Sequence, residues 1–503
     1  MEHAQDTRPL IDLLVIGGGI NGVGIARDAV GRGLSVTLVE RGDLAGATSS
    51  SSSKLIHGGL RYLEQFELRL VAEALAEREI LLRAAPHLVW PARFIMPHVP
   101  SLRPRWMIRT GLFLYDHLGR RQRRGVTLPG SHAVRLDTAP LNSGLNGAYR
   151  HGFAYSDCRT DDARLVIAVA RDAARRGATI LPRTEVVTAQ RQGDEWQVAL
   201  ANGERLRARA IANVAGPWVK QVLNERLGVA SADAVRLVRG SHIVLPRLYA
   251  GEHAFILQNT DRRVVFMIPY EGRFTLVGTT DVAQDRLALS PEPTADEVDY
   301  LCDAVGRYLA RRPSPSDIVW QYAGVRPLYD DGSGDPSAVT RDYTLRIDAP
   351  RGAVDCAPVL SVFGGKLTTF RHLAEVAVDQ LTKLLAHDGG AWTADAALPG
   401  ADLPAGGLPA LRTELAARYP WLDAPLLAAL VRRHGSETFV LLGDARAPGD
   451  LGEHHGGGLF DIELAWFRRH EWAMHADDMM WRRSKCGLFM SADERARLKA
   501  RLG

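Results

Sequence analysis

Leu10-Ile11-Asp12-Leu13-Leu14-Val15-Ile16 runs directly into Gly17-Gly18-Gly19-Ile20-Asn21-Gly22, and the chain continues through Val23 to Arg32, Gly33, Ser35 to Val39 and Glu40. The opening run is almost entirely apolar, as expected of a strand covered on both faces of a parallel sheet. Val23 to Arg32 reads as a helix with small residues Gly24, Ala26 and Ala29 on one side, and Ser35 to Val39 as a second strand. Strand, glycines, helix, strand and acid in that order predict a dinucleotide-binding unit. Gly17 permits the tight turn, Gly19 lets the backbone approach a pyrophosphate, and Gly22 lets the helix pack closely on the strand. The helix N-terminus offers unpaired N–H groups to the phosphates. Glu40, eighteen positions past Gly22, falls where a carboxylate accepts hydrogen bonds from ribose hydroxyls. This unit alone does not separate FAD from NAD.

The next segment bears on that choice. Thr48 to Ser53 is an unbroken hydroxyl run, followed by Lys54-Leu55-Ile56-His57-Gly58-Gly59-Leu60-Arg61-Tyr62. By composition alone such a run is a solvated linker. Its position eight residues after Glu40, leading into a histidine and two glycines, instead predicts that Thr48, Ser49, Ser53, Lys54, His57 and Gly58 meet the cofactor. Far downstream, Leu360-Ser361-Val362-Phe363 runs into Gly364-Gly365-Lys366-Leu367-Thr368-Thr369-Phe370-Arg371. A glycine-rich strand-to-helix turn presents backbone N–H groups and a positive dipole end, which suits the electron-rich N1/O2 edge of a reduced flavin. The alternative is an ordinary helix cap. Gly216, at the end of the strand-like run into Val214-Ala215-Gly216-Pro217, is a third glycine turn expected at the cofactor.

The stretch from Ile16 to Gly33, the stretch from Ser53 to Glu64 and the turn at Gly364 to Arg371 together resemble the bacterial FAD-dependent glycerol-3-phosphate dehydrogenases, the aerobic respiratory type. The resemblance extends over essentially the whole chain. It departs at Phe370, where the family pattern has Tyr, a change that removes a hydroxyl and keeps the ring. The resemblance implies FAD as cofactor, sn-glycerol 3-phosphate as substrate, a membrane quinone as electron acceptor and a homodimer. It also implies that Arg326, Lys366, Arg61 and Tyr62 line the substrate pocket and that Arg341 lies near the phosphate. The competing reading of Arg326 and Arg341 is surface pairing with Asp330, Asp331 or Asp342.

A phosphate ester with a secondary alcohol needs cations for the phosphate and a base at the carbon that loses hydride. Histidine titrates near neutrality, and His242 and His57 are the two candidates for the base, with Arg326 stabilising the oxygen as its charge develops. Thr280, in the polar turn Thr279-Thr280-Asp281, is a candidate hydroxyl contact. The function classes left open are a quinone-reducing dehydrogenase, an oxygen-using oxidase or amine oxidase on the same fold, and a flavin-binding protein without turnover.

The architecture expected is α/β: an FAD-binding Rossmann-like domain, an antiparallel β-rich substrate-binding layer over the flavin, and a C-terminal all-helical domain. Residues 1–89, 149–235 and 344–388 are assigned to the first, 90–148 and 236–343 to the second, and 389–503 to the third. At 503 residues with 46% hydrophobic content, more than one core is required. The net charge of +4 demands no nucleic-acid partner. Cys158, Cys302, Cys356 and Cys486 lie far apart, without the spacing of a zinc site or redox pair. His454-His455 reads as loop, so no metal is expected.

The N-terminus has no signal or transit pattern, and no apolar stretch is long enough to span a bilayer. The segment from Leu102 to Arg124 combines Trp106, Ile108, Leu112, Phe113 and Leu114 with Arg120, Arg121, Arg123 and Arg124. It reads either as a helix lying in a headgroup region or as a core helix with a solvated basic end. The first reading puts the protein on the cytoplasmic face of a bacterial inner membrane, peripherally bound, with a soluble pool.

Overall fold

A computed structural model describes residues 9–120, 128–261, 263–288, 290–330, 343–349 and 356–503, without the side chains of residues 61, 65, 119 and 120. Arg341 and the arginines at 121, 123 and 124 lie outside the described residues.

The predicted opening unit is present as strand β1 (Leu10–Ile16), helix α1 (Ile20–Gly31) and strand β2 (Val36–Glu40). β1 is buried toward its C-terminal end, as its apolar run requires. It pairs in parallel with β2 on one side and with Arg205–Asn213 on the other. Val359–Phe363 extends the parallel set beyond Arg205–Asn213, and Thr179–Pro182 extends it beyond β2. Helices Asp162–Arg175 and Phe370–Leu384 pack with α1, closing a core that includes Val15, Ala26, Val169 and Leu373. The antiparallel hairpin Val186–Gln192 and Glu195–Leu200 turns at Gly193 and joins the same sheet through Arg205–Asn213.

A second sheet is mostly antiparallel. Its long strand Ala234–Pro246 pairs with Phe274–Gly278 on one side and Trp320–Asp330 on the other. Val264–Tyr270, Ala254–Gln258, Val89–Pro97 and His151–Thr160 follow across the sheet. Alternating apolar residues such as Ile243, Leu245, Phe255 and Met267 build its core, as β-rich patterning predicts. The strand His151–Thr160, placed with the FAD-binding segments by sequence, pairs here with Val89–Pro97. The segments assigned to the two layers therefore interlace at this point.

The C-terminal part is helical, as expected, with helices Gly407–Arg418, Ala424–His434, Asp461–Glu471 and Ala492–Leu502. Leu415, Val431, Phe467 and Met479 form its separate core. The four cysteines are free, three of them buried. Among the described residues no helix is long and apolar enough to cross a membrane.

Candidate active site

The glycine turn has the backbone geometry the sequence predicts. Gly17 has φ +119°, and a Cβ there would meet Val214 O at 2.5 Å. A Cβ on Gly22 would lie 1.9 Å from Gly17 O, so that position is closed by packing against the turn itself. At Gly19 the nearest obstacle is Ser49 Oγ at 3.1 Å; the backbone is otherwise open on that side. Ser49 accepts a hydrogen bond from the N–H of Ile20 at 3.0 Å, so the hydroxyl run closes over the start of α1. Glu40 accepts from the N–H groups of Gly18 and Gly42, each at 2.7 Å. Burial raises its carboxyl above the ordinary range, outweighing the two backbone hydrogen bonds.

These residues open onto a cavity of about 690 Å³ shared by both sheets. Gly17, Gly19, Glu40, Thr48, Ser49, Ser53, His57, Gly216, Gly364, Gly365, Leu367 and Thr368 line it, and so do Tyr62, Lys366, His242 and Arg326. Gly364 and Gly365 take φ values of +82° and +101°, which carry the chain from strand to helix within reach of Asn21, whose Nδ2 donates to Gly364 O at 3.4 Å.

Several predicted residues are turned elsewhere. Lys54 is buried with its ammonium on Asp162, 2.9 and 3.0 Å from the two oxygens, and on Ser50 O at 3.0 Å. The N–H of Gly58 donates to Tyr115 Oη at 2.8 Å, and Leu75 and Tyr115 fill the space a Cβ would need. Thr280 is buried, donating to Glu297 at 2.7 Å and accepting from the N–H of Ser241 at 2.9 Å. Its neighbours Thr279 and Asp281 line the cavity instead. Thr48 lines the wall but gives its hydroxyl to Val325 O at 2.6 Å. Arg61 has no described side chain, and Phe370 is buried in the core against Gly24.

The chemically active groups converge on the wall formed by the second sheet and the turn at Gly364. His242 Nε2 is 2.9 Å from Ser53 Oγ, while its Nδ1 is buried without a partner. Its ring stacks on Tyr322 with centroids 4.9 Å apart. Burial above all, then the charges of Arg326 and Lys54, hold its pKa well below the ordinary 6.5. Arg326 is ion-paired with Asp281 and donates to Thr279 Oγ1 at 2.9 Å. The Lys366 ammonium is buried 4.2 Å from the Tyr62 ring centroid and has no hydrogen-bond partner. The His57 ring lies edge-on to Phe266, and the backbone N–H of His57 donates to Thr368 Oγ1 at 3.3 Å.

A dinucleotide suits this wall: an open glycine at the helix start, an acid at the end of β2 and an orphaned cation at the far glycine turn are the features that it requires. Glu453, His455 and Asp461 form the one metal-ligating group among the described residues, but Arg501 already pairs with Glu453 and Asp461.

Residues 12–348 match the family of FAD dependent oxidoreductases, and residues 391–500 match the C-terminal domain of alpha-glycerophosphate oxidase. The chain is 51% identical over 495 residues to a glycerol-3-phosphate dehydrogenase of Pseudomonas aeruginosa, covering 97% of this chain and 94% of that one. It is 47% identical over 490 residues to a D-erythritol 1-phosphate dehydrogenase of Brucella abortus, covering 96% of each. The crystal structure of a glycerol-3-phosphate dehydrogenase from Bacillus halodurans complexed with FAD superposes with a TM-score of 0.75 at 26% identity, covering 98% of this chain and 94% of that one. Nucleotide unit, second sheet and helical C-terminal part agree with these matches over nearly the full length, and the chain belongs to the FAD-dependent oxidoreductases of the glycerol-3-phosphate dehydrogenase family, with FAD as its cofactor.

Proposed function

We propose that the enzyme oxidises sn-glycerol 3-phosphate to dihydroxyacetone phosphate and passes the electrons to a membrane quinone. The observation that carries the substrate assignment is Lys366. An ammonium buried in the cavity without a partner is costly unless an anion arrives with the ligand. Tyr62 beside it, and Arg61 and Arg341 by family resemblance, complete a phosphate-binding group.

Bound FAD supplies the hydride acceptor for the hydrogen on C2. The chain provides the rest. His242 is neutral at physiological pH and takes the C2 hydroxyl proton, with Ser53 fixing its ring; His57 is the alternative base. Arg326, oriented by Asp281 and Thr279, stabilises the oxygen as the proton leaves. The 47% identical D-erythritol 1-phosphate dehydrogenase supports a second reading, in which a longer polyol phosphate is the substrate.

The acceptor reading is supported by the surface. Helix Arg105–Arg120 buries Ile108, Leu112 and Tyr115 and exposes Trp106, Phe113 and Leu114. Phe66, at the end of the neighbouring turn Leu60–Gln65, is 86% exposed. Arg103 ties the two segments together through Glu64 at 2.6 Å. Aromatic residues with Arg105 and Arg109 beside them suit peripheral binding to anionic lipid, where quinone is dissolved. By the family resemblance, the membrane so bound is the bacterial inner membrane, at its cytoplasmic face. A homodimer follows the family resemblance and is read by light scattering.

Anaerobic addition of sn-glycerol 3-phosphate, D-erythritol 1-phosphate or glycerol to the holoenzyme, followed in the flavin absorbance band, tests the substrate. Bleaching by glycerol 3-phosphate and recovery with a soluble quinone support the reading. Faster bleaching by the erythritol ester transfers it to the longer substrate, and a flavin that neither ester bleaches overturns both.

A further inference from the structure

The C-terminal helical domain reaches the cofactor cavity through one short π-helical turn, Asp478–Arg483. Arg483 is fully buried, with both terminal nitrogens on Asp43 at 2.6 and 2.7 Å. Arg482 places Nε on Asp43 at 2.5 Å and Nη2 on Asp478 at 2.5 Å. Arg183 pairs with Asp478 at 2.5 Å and lies 3.7 Å from Asp43. Three guanidiniums thus share two carboxylates, and the cluster retains positive charge. Of those three, Arg482 alone lines the cavity, together with Asp43.

Asp43 follows the ribose acid Glu40 by three positions, so the surplus charge lies at the adenosine end of the site. Two carboxylates engage Nε and Nη2 of Arg482, leaving its Nη1 as a donor that neither takes up. A dinucleotide carries anionic phosphates and several acceptor oxygens, which a guanidinium oriented in advance binds with little loss of entropy. Trp481, in the same turn, stacks on Trp320 at 4.7 Å, and Trp320 and His242 both pack on Tyr322. The turn therefore braces the catalytic wall as well.

We propose that Arg482 is an FAD-binding residue supplied by the C-terminal domain, directed at the adenosine diphosphate half, so that FAD binding and docking of that domain strengthen each other. Linkage makes the effect reciprocal: a domain that tightens FAD is itself tightened by FAD.

The dissociation constant of FAD is measured by flavin fluorescence on stripped and reconstituted protein, with thermal melting of the apo and holo forms. Arg482→Met is expected to weaken FAD by about tenfold, the loss of a charge-assisted hydrogen bond, and to shrink the rise in melting temperature that FAD produces. Arg482→Lys recovers part of both, and it carries the test if the methionine variant does not fold. Arg183→Ala, which cuts the same interface outside the cavity, is expected to lower both apo and holo melting and to weaken FAD only through the linkage, by far less than Arg482→Met. Hydrogen exchange in residues 478–483 is expected to slow when FAD is added. An unchanged dissociation constant in both Arg482 variants, equal weakening by Arg183→Ala, or exchange indifferent to FAD would each overturn the proposal.

Discussion

The imidazole of His242 and the hydroxyl of Ser53 stand 2.9 Å apart inside the cavity, joining the second sheet to the hydroxyl run that follows the nucleotide unit. Burial first, and the cations Arg326 and Lys54 after it, hold this histidine well below the ordinary 6.5. It therefore stays in its proton-accepting form through neutrality. The profile of kcat/KM against pH is expected to show no acid limb near 6.5, with loss only at lower pH. Arg326→Met removes a positive neighbour, raises the His242 pKa and moves the acid limb upward. His242→Gln lowers kcat by about a hundredfold or more, the range for loss of a general base. A profile already falling at pH 6.5 in the native enzyme would exclude His242 as the base.

On the proposed function, Lys366 offers its buried, unpartnered ammonium to an incoming anion. Lys366→Met is expected to raise KM for the phosphate ester by roughly 100-fold, the effect of losing a desolvated charge pair of about 3 kcal/mol. Initial rates against substrate concentration read it. Inorganic phosphate, a competitive inhibitor of the native enzyme on this reading, should lose its effect in the variant.

Two glycines of one motif fail differently. Gly22→Ala puts a methyl 1.9 Å from Gly17 O and is expected to cost at least about 2 kcal/mol of stability through overpacking, together with FAD. Gly19→Ala meets only Ser49 Oγ at 3.1 Å, so the protein folds and FAD affinity alone falls. Melting curves with and without FAD separate the two.

Glu471 is buried among Arg164, Arg171 and Trp466. Burial pushes its carboxyl up, but the two arginines more than reverse this and hold it at about 2 against an ordinary 4.5. A carboxylate lowered on folding stabilises the native state above its unfolded pKa, and that contribution fades as pH falls from 4.5 toward 2. Glu471→Gln leaves Arg164 without its carboxylate, while Arg171 stays paired with Glu437, and is expected to cost about 3–5 kcal/mol at pH 7. The deficit should narrow below pH 4.5, as read by denaturant titration across pH.

The exposed aromatic residues of the helix Arg105–Arg120 predict a surface effect. Trp106→Glu with Phe66→Ser should abolish co-sedimentation with vesicles containing anionic lipid, while bleaching of the flavin by the soluble substrate is unaffected. Retained sedimentation would move the lipid contact elsewhere.

The nucleotide unit was legible because its signal is local: the apolar run of β1, the three glycines and Glu40 all fall within residues 10–40, although the atoms that close on Gly17 and Gly19 come from Val214 and Ser49. The Gly364 turn was legible for the same reason. Lys54 and Thr280 were not. Lys54 directly follows the hydroxyl run, but its φ of +57° accompanies a side chain held by Asp162, a partner 108 positions on. At Thr279-Thr280-Asp281 all three residues are polar, and only the packing against Glu297 decides which of them turns inward. Arg482 lies in a helical region with no motif, and only the ion pairs to Asp43 reveal it. The strand His151–Thr160 was assigned by its position in the chain, whereas pairing with Val89–Pro97 sets its sheet.

The order of the parallel strands bears on how the protein is made. β1 has β2 beside it almost as soon as it leaves the ribosome, but its other neighbour is Arg205–Asn213, which in turn waits for Val359–Phe363. At roughly 5–20 residues per second, about 20 to 90 seconds separate the first glycine turn from the emergence of Arg482. Until Val359–Phe363 emerges within that interval, the nascent chain carries a half-built apolar sheet with an open edge. The seat of the flavin is therefore finished late in synthesis, because the strand Val359–Phe363 and the turn at Gly364 that complete it lie in the last third of the chain.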